Sequence, residues 1–232
     1  LGALLERHRA TVMQATPVTW RLLLEAGWSA KPPFKALVGG EALPRDLADQ
    51  LIARGVELWN MYGPTETTVW STCARIADTA NGIGIGKPIA NTTAYILDAH
   101  GNLCPIGVPG ELCIGGDGVT LGYWNRSELT AERFIADPFG ATPGGTLYRT
   151  GDRARWRNDA TLEHLGRLDD QAKVRGFRIE LGEIEAVLAE HPEVRQAAVY
   201  LWEAKANDVR LVACCVAAGD GHLSPIGLRK HL

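Results

Sequence analysis

Hydrophobic and polar positions alternate along the first 70 residues with two different periods. Apolar residues recur at helical spacing in three segments, which are Leu1–His8, Val18–Ala26 and Pro44–Ala53. Shorter apolar runs lie between them and predict strands at Thr11–Gln14, Phe34–Val38 and Val56–Asn60. Alternation of helices and strands is typical of a mostly parallel sheet, in which ligands bind at the carboxyl ends of the strands.

The pattern changes near residue 82, where short strands and turn residues replace the long amphipathic segments. Two antiparallel pairs are predicted, Ala94–Asp98 with Glu111–Ile114 and Thr150–Trp156 with Thr161–Leu165. We expect this part of the chain, about residues 82–168, to form a distorted antiparallel barrel.

A third unit is predicted after the charged pair Asp169-Asp170. It contains one helical face around Leu181–Leu188, two strands and a new helix start at Ser224-Pro225. The predicted fold class is α/β with α+β. A large core spans residues 1–168, with its α/β portion at about 1–80, and an incomplete C-terminal lid spans residues 169–232. Because both ends cut into predicted helices, we expect the chain to be a piece of a larger protein.

Composition narrows the possible functions. The net charge of −3 leaves no basic excess to neutralise phosphates, which argues against a nucleic-acid partner. No apolar run approaches the roughly 20 residues of a membrane span, so no membrane partner is expected. The five cysteines are odd in number and show no CxxC spacing. This usage favours a reduced, cytoplasmic protein without a zinc site.

The segment from Asn60 to Thr68 carries the strongest chemical signal. It reads Asn-Met-Tyr-Gly-Pro-Thr-Glu-Thr-Thr and follows a predicted strand directly. Tyr62 offers a flat face for stacking a base, a contact worth roughly 1–3 kcal/mol in known sites. Glu66 is a hard oxygen ligand of the kind that Mg²⁺ prefers beside phosphates. Taken alone, the segment is also compatible with a polar loop that caps the next element.

Three further segments could approach a nucleotide, and each has a purely structural alternative. Gly39-Gly40-Glu41 follows a strand, where paired glycines allow close backbone contact with a ligand or simply form a tight turn. Asp152, after Gly151, suits a ribose diol or could stabilise a turn. The glycine-rich run 82–88 lacks the Ser or Thr of a phosphate loop, since Pro88 takes that place, and is interpreted as structural.

Taken in order, these motifs resemble an adenylation domain of a nonribosomal peptide synthetase, within the adenylate-forming enzyme family. The resemblance is carried by the segments 38–43, 60–70, 110–123, 129–134, 148–152 and 166–185. It implies ATP-dependent activation of an amino acid as an aminoacyl-adenylate. The aminoacyl group then passes to the phosphopantetheine thiol of a carrier domain. ATP, Mg²⁺ and that arm are the implied cofactors, and a peptidyl carrier domain and a condensation domain are the implied partners.

The resemblance also implies roles for individual residues. Tyr62 would stack on adenine, Thr65 would contact the α-phosphate, Glu66 would bind Mg²⁺, and Thr65, Glu66 and Lys173 would be the catalytic residues. Asp152, helped by Arg167, would hold the ribose. The implied nucleotide-binding set is Gly39, Gly40, Glu41, Asn60, Met61, Tyr62, Gly63, Thr65, Asp152, His164 and Arg167.

The amino-acid pocket and the moving parts follow from the same resemblance. The positions that match the pocket are Gln14, Leu37, Gly39, Met61, Val69 and Trp70. This mostly apolar lining favours an uncharged substrate side chain. Asp169 would be the hinge of the lid, and Gly176 would leave room for the phosphopantetheine arm.

The chain departs from the family pattern at several points. The phosphate loop, the segment whose Asp grips the substrate amino group and the second catalytic Lys should lie outside residues 1–232, so we expect no useful turnover from this chain alone. His164 stands where many relatives carry Tyr or Phe. Ala160 replaces a hairpin Gly, and we therefore expect Asn158 or Asp159 to adopt the left-handed conformation.

Two alternatives remain open from the sequence. An acyl- or aryl-CoA ligase of the same family would share most of these motifs. A non-catalytic nucleotide-binding module would share the fold, although Tyr62, Glu66 and Asp152 are all present.

Overall fold

Two units make up the chain, Leu1–Asp169 and Asp170–Leu232, each with its own internal contacts. A computed structural model describes residues 1–30, 33–140, 144–169, 171–174, 177–203, 209–219 and 223–232. Among these residues, no helix combines the length and the apolar composition that crossing a bilayer requires.

Helices and strands alternate in the first unit before strands dominate. The helices are α1 Gly2–Arg7, α2 Pro17–Glu25, α3 Arg45–Ala53, α4 Ser127–Arg133, α5 Leu181–Ala189 and α6 Pro225–His231. The strands are β1 Val12–Ala15, β2 Lys35–Gly39, β3 Glu57–Tyr62, β4 Thr72–Ile76, β5 Lys87–Pro88, β6 Thr92–Leu97, β7 Gly110–Gly116, β8 Phe134–Ala136, β9 Thr146–Trp156, β10 Leu162–Arg167, β11 Gln171–Val174, β12 Phe177–Glu180, β13 Val194–Glu203 and β14 Val209–Ala217.

The first sheet has the order β1-β2-β3-β4-β5 and confirms the predicted mixed α/β class. Strands β1, β2 and β3 are parallel, while β4 and β5 run antiparallel to their neighbours. Helix α2 begins where Thr16 accepts a hydrogen bond from the backbone N–H of Thr19 and Pro17 occupies the first turn. Trp20 and Leu47, fully buried, pack α2 and α3 against one face of this sheet. The helices cover the face of the sheet and not its edge, so the loops that follow the carboxyl ends of β2 and β3 can carry polar residues.

The second sheet is antiparallel, as predicted, with the order β10-β9-β7-β6 and β8 paired to β9. The strands described do not close into a barrel, because no ladder joins the edge strands β6 and β10. Instead, a single bridge between Gly86 and Leu162 connects β10 to the first sheet. Tyr62, Ile96 and Leu112 belong to the shared apolar core.

The turn between β9 and β10 contradicts one expectation. Ala160 itself adopts the left-handed conformation, with φ of 57°, while Asn158 and Asp159 are absent from the positive-φ residues. Asp159 instead accepts hydrogen bonds from the backbone N–H and the hydroxyl of Thr161, at 3.0 and 2.6 Å. The Asp159 carboxylate thus bonds to the residue two positions ahead. Because this fixes the backbone on both sides of Ala160, Ala160 itself takes the positive φ that closes the turn.

Replacing Ala160 with glycine is therefore expected to raise the free energy of unfolding by about 0.5–1 kcal/mol. The left-handed region costs an L-residue roughly 1–2 kcal/mol, and glycine adopts it without a Cβ clash. Urea unfolding at neutral pH measures the change. As a matched control, Ala53→Gly within α3 should lower stability by about 0.5–1 kcal/mol. Equal destabilisation by both substitutions would contradict the conformation assigned to Ala160.

The second unit contains two antiparallel hairpins, β11–β12 and β13–β14, with helices α5 and α6. Leu181, Leu188 and Val199 bury the apolar face of α5 against the β13–β14 hairpin. Ser224 caps α6 by accepting a hydrogen bond from the backbone N–H of Gly227 at 3.2 Å. The helix and both long strands predicted from the apolar pattern are therefore confirmed.

Candidate nucleotide and amino-acid site

The predicted pocket residues share one face of the first sheet. In the parallel register, Gln14 pairs with Leu37, and Gly39 pairs with Met61. Paired residues and residues two apart on a strand point to the same side. The opposite side carries Ala36 and Val38, which are buried under α2 and α3. The face with Gln14, Leu37, Gly39 and Met61 therefore lies away from the helical layer.

Trp70 lies directly over Gly39. A Cβ at position 39 would be 2.3 Å from Cη2 of the indole and 2.7 Å from the carbonyl oxygen of Met61, so only glycine fits. The ring is held there by a strained segment, since Thr68 and Val69 both have positive φ, 62° and 70°. Such conformations are genuine outliers for β-branched residues and cluster at functional sites. The backbone thus fixes a large aromatic ring over the face that bears the predicted pocket.

The two ends of the predicted nucleotide site meet in a direct contact. The hydroxyl of Tyr62, at the end of β3, donates a hydrogen bond to Oδ2 of Asp152 in β9, 90 residues further along the chain. Burial, and then the charge of Asp152, raise the pKa of Tyr62 well above its usual value, so the phenol remains a donor. Tyr62 is only 8% exposed. Its hydroxyl and most of its ring are therefore committed to the protein interior, which restricts the predicted stacking to the small exposed part.

Asp152, itself buried, is the centre of a polar cluster. Its Oδ1 accepts hydrogen bonds from Nε2 of His164 at 3.1 Å and from Nη1 of Arg167 at 3.0 Å. Burial opposes the charged carboxylate, but the His164 hydrogen bond and the Arg167 charge outweigh it and lower the pKa of Asp152 to about 2. A carboxylate offers about four acceptor positions. Tyr62, His164 and Arg167 occupy three of these positions, so one remains for a ribose hydroxyl. A second ribose hydroxyl could bind Asp152 only by displacing one of these three residues.

The lowered pKa of Asp152 predicts that the free energy of unfolding decreases in acid. A carboxyl whose pKa is lower in the folded state stabilises the fold above its unfolded pKa, here 3.8, and loses that contribution as the pH falls through about 2. The loss should amount to about 2 kcal/mol between pH values of about 4 and 2. Urea unfolding of wild type and Asp152→Asn should show a difference that shrinks over this range. A constant difference would contradict the assignment.

Arg167 extends the cluster to the predicted hinge. Its Nε and Nη2 donate to the two carboxylate oxygens of Asp169 at 2.8 and 2.7 Å, and Arg133 lies 3.8 Å from the same carboxylate. Bidentate pairs of this kind are among the stronger ionic contacts. The carboxylate of the predicted hinge residue is therefore tied to the residues around Asp152 within the first unit.

Glu66 is buried beside a second set of hydroxyls. It is 7% exposed, and its Oε1 accepts a hydrogen bond from the hydroxyl of Tyr123 at 2.6 Å. Burial, followed by this bond, raises the pKa of Tyr123. In the part of the chain that the structure describes, no group of three or more His, Cys, Asp or Glu could hold a metal ion. A single carboxylate nevertheless fits Mg²⁺, which is commonly bound by one or two carboxylates together with substrate phosphates.

The remaining predicted residues divide into three groups. Gly40, with φ of 88°, and Gly63, where a Cβ would lie 2.6 Å from the carbonyl oxygen of Val69, shape the turns after β2 and β3. Asn60 is buried and donates to the carbonyl oxygen of Gly84 at 2.9 Å, so it ties β3 to the loop between β4 and β5. Thr65 is exposed at the start of the 3₁₀ turn Thr65–Thr67, which also contains Glu66, and Glu41 is half-buried.

Two predicted residues cannot be placed. Gly176 lies outside the described residues, as does the side chain of Lys173, whose backbone belongs to β11. Sequence reasoning also missed Tyr123, although it stands in the Gly122-Tyr123 pair that belongs to the family-like segment. A half-buried tyrosine beside a predicted metal ligand has no periodicity that would reveal it.

Comparison with known proteins identifies the family. The family model described as AMP-binding enzyme matches residues 1–124. A dimodular nonribosomal peptide synthase from Bacillus subtilis (strain 168) is 48% identical over 233 residues, which is 100% of this chain and 10% of that relative.

Solved structures agree. A holo four-domain nonribosomal peptide synthetase bound to AMP and glycine is 48% identical, with a TM-score of 0.68 over 99% of this chain and 17% of the other. An artificially fused adenylation–PCP di-domain from Klebsiella oxytoca is 29% identical, with a TM-score of 0.82 over 99% of this chain and 43% of the other. The chain therefore belongs to the AMP-binding enzyme family, and the part of that family it matches is the adenylation domain of nonribosomal peptide synthetases.

Proposed function

We propose that this chain supplies the base, ribose and amino-acid contacts of a site that activates an amino acid with ATP. The observation that carries the proposal is the convergence of the buried Tyr62 and Asp152 with the half-buried His164 and Arg167 into one cluster at the end of β3. The product would be an aminoacyl-adenylate with release of pyrophosphate. This reaction depends on positioning and charge stabilisation and requires no protein nucleophile.

Individual residues would bind different parts of the nucleotide and its metal ion. Asp152, kept ionised by the His164 hydrogen bond and the Arg167 charge, would accept a hydrogen bond from a ribose hydroxyl, and the exposed part of Tyr62 would face the base. The exposed Thr65 hydroxyl would contact the α-phosphate. Glu66, backed by Tyr123, would hold Mg²⁺, whose charge would help to neutralise the phosphates.

The amino acid is proposed to be small and uncharged. None of the six predicted pocket residues carries a charge, and the indole of Trp70 occupies the space over Gly39. A ring in that position leaves little volume for a substrate side chain. The 48% identical synthetase solved with AMP and glycine supports glycine as the first candidate.

The partners follow from the relatives. Because one related structure is an adenylation–PCP fusion, we propose that a carrier domain presents its phosphopantetheine thiol to this site, and that a condensation domain uses the product. Asp169 would act as the hinge between the two half-reactions, with Lys173 facing the active site and Gly176 along the path of the arm. All five cysteines are free, which suits a reducing compartment such as the cytoplasm.

Pyrophosphate exchange tests the reaction. We expect negligible exchange by the 232-residue chain alone. A chimeric domain, with this chain between the flanking segments of the Bacillus subtilis dimodular synthase, should exchange best with glycine. Failure of the chimera to bind Mg·ATP, while the parent domain binds it, would count against the proposed site. Preference of the chimera for free coenzyme A over a carrier domain would favour a CoA ligase instead.

A further inference from the structure

Strand β9 bulges where it presents Asp152. Its ladder with β7 pairs Glu111 with Arg153 and Cys113 with Arg149, so residues 150–152 stand opposite Leu112 alone. A bulge of this kind bends the strand and re-aims a side chain, and bulges are frequent beside active sites. Gly151, at the centre, has φ of 70°, a conformation that glycine adopts without strain. The direction of Asp152 therefore depends on how this bulge is held.

Side chains satisfy the backbone groups that the bulge removes from the ladder. Arg167 donates to the carbonyl oxygen of Thr150 at 2.7 Å, and the hydroxyl of Thr150 accepts from the backbone N–H of Asp152 at 2.9 Å. The same hydroxyl donates to the carbonyl oxygen of Leu112 at 2.7 Å. The N–H of Gly151 donates to Oε1 of Glu111 at 3.1 Å. Glu111 thus holds the peptide group between Thr150 and Gly151, one residue before Asp152.

Glu111 is a buried charge with a partner of its own. It is 9% exposed, and its Oε2 accepts two hydrogen bonds from Arg149, from Nε at 2.9 Å and from Nη2 at 2.5 Å. A buried carboxylate without such compensation would be costly. Its two oxygens therefore have separate tasks: one is neutralised by Arg149, and the other fixes Gly151. None of the described hydrogen bonds of Glu111 reaches Tyr62, His164 or Arg167.

We propose that Glu111 is a positioning residue for nucleotide binding, which orients Asp152 through the Gly151 peptide and is itself oriented by Arg149. The inference rests on the proposed function, since it assumes that Asp152 binds the ribose hydroxyls. Glu111 would act on the sugar contact alone and would leave the recognition of the base unchanged.

The test is the preference of the 232-residue chain for AMP over 2′,3′-dideoxyadenosine monophosphate, measured by titration with NMR detection. Glu111→Ala is expected to reduce this preference about tenfold, through weaker AMP binding with unchanged affinity for the dideoxynucleotide. Glu111→Gln should restore at least half of the loss on a logarithmic scale, because its amide oxygen can still accept from Gly151. Glu163→Gln provides a matched control. Glu163 pairs with Arg155 and Arg157 at 2.7 and 3.0 Å, and its substitution should leave the preference intact.

The possible results separate the two proposals. If the wild-type chain shows no preference for AMP, the ribose contact of Asp152 and thus the proposed function fail. If the wild type prefers AMP and Glu111→Ala keeps that preference, only the positioning role is overturned. If Glu111→Ala does not fold, Arg149→Gln takes its place. A threefold or greater loss of preference there supports the inference, and an unchanged preference overturns it.

Discussion

Replacement of Asp152 by asparagine is expected to weaken AMP binding to this chain about 100-fold. The side chain keeps its size but loses the charge that Arg167 and His164 stabilise. Hydrogen bonds to a charged group contribute roughly 1.5–3 kcal/mol each. Loss of the one charged hydrogen bond that Asp152 can offer to the ribose would cost up to about 3 kcal/mol, and each 1.4 kcal/mol is a tenfold change in affinity. Isothermal titration calorimetry at neutral pH measures the change directly.

A second carboxylate separates this effect from a general loss of charge. Asp46 on α3 forms an ion pair with Arg21 at 2.7 Å, and Asp46→Asn should keep the wild-type affinity for AMP. Thermal unfolding confirms that each variant is folded under the binding conditions. A folded Asp152→Asn variant that binds AMP within threefold of wild type would remove Asp152 from the nucleotide site.

Replacement of Trp70 by alanine is expected to reverse the amino-acid preference of the chimeric domain. The indole that covers Gly39 would be replaced by a methyl group, which opens volume over the pocket face. Glycine cannot fill that volume, so its pyrophosphate exchange should fall about tenfold. Each added methylene that fills an apolar pocket contributes about 1–3 kcal/mol. Exchange with leucine should therefore rise at least tenfold relative to glycine.

An exposed tryptophan serves as the matched control for this substitution. Trp124 is 90% exposed, and Trp124→Ala should leave the ranking of amino acids unchanged. Exchange with a panel of glycine, alanine, serine, leucine and phenylalanine gives the ranking for each variant. Retention of the glycine preference by Trp70→Ala would show that another residue limits the pocket.

The mixed fold could be predicted from hydrophobic periodicity because each helix or strand buries apolar residues that recur at a regular spacing. Leu47 and Leu51 stand on one face of α3 and are fully buried, and the three parallel strands of the first sheet begin and end within two residues of their predicted bounds. Strands β4 and β5 were not predicted. Whether the second sheet closes into a barrel could not be predicted from the sequence. Alternation along a strand is the same in an open sheet and in a barrel, and only the pairing of the edge strands distinguishes them.

The turn between β9 and β10 shows a similar limit of prediction from sequence. The sequence identified the β9–β10 turn and its missing glycine, but placed the left-handed residue at position 158 or 159 and not at 160. The choice depends on Asp159, whose oxygen binds both the N–H and the hydroxyl of Thr161. A side chain that can bond to its own backbone in several ways does not reveal its preference from sequence alone.

By itself, the sequence determined which chemical groups this protein can bring to a nucleotide, and in what order along the chain: the phenol of Tyr62, the carboxylates of Glu66 and Asp152, and the guanidinium of Arg167. Tertiary structure decided which of them meet. Tyr62 and Asp152 are 90 residues apart in sequence, and Glu66 contacts Tyr123 across 57 residues. Local propensity acts over a few neighbours, whereas such pairs form only when two sheets pack together and leave buried polar groups that must satisfy one another.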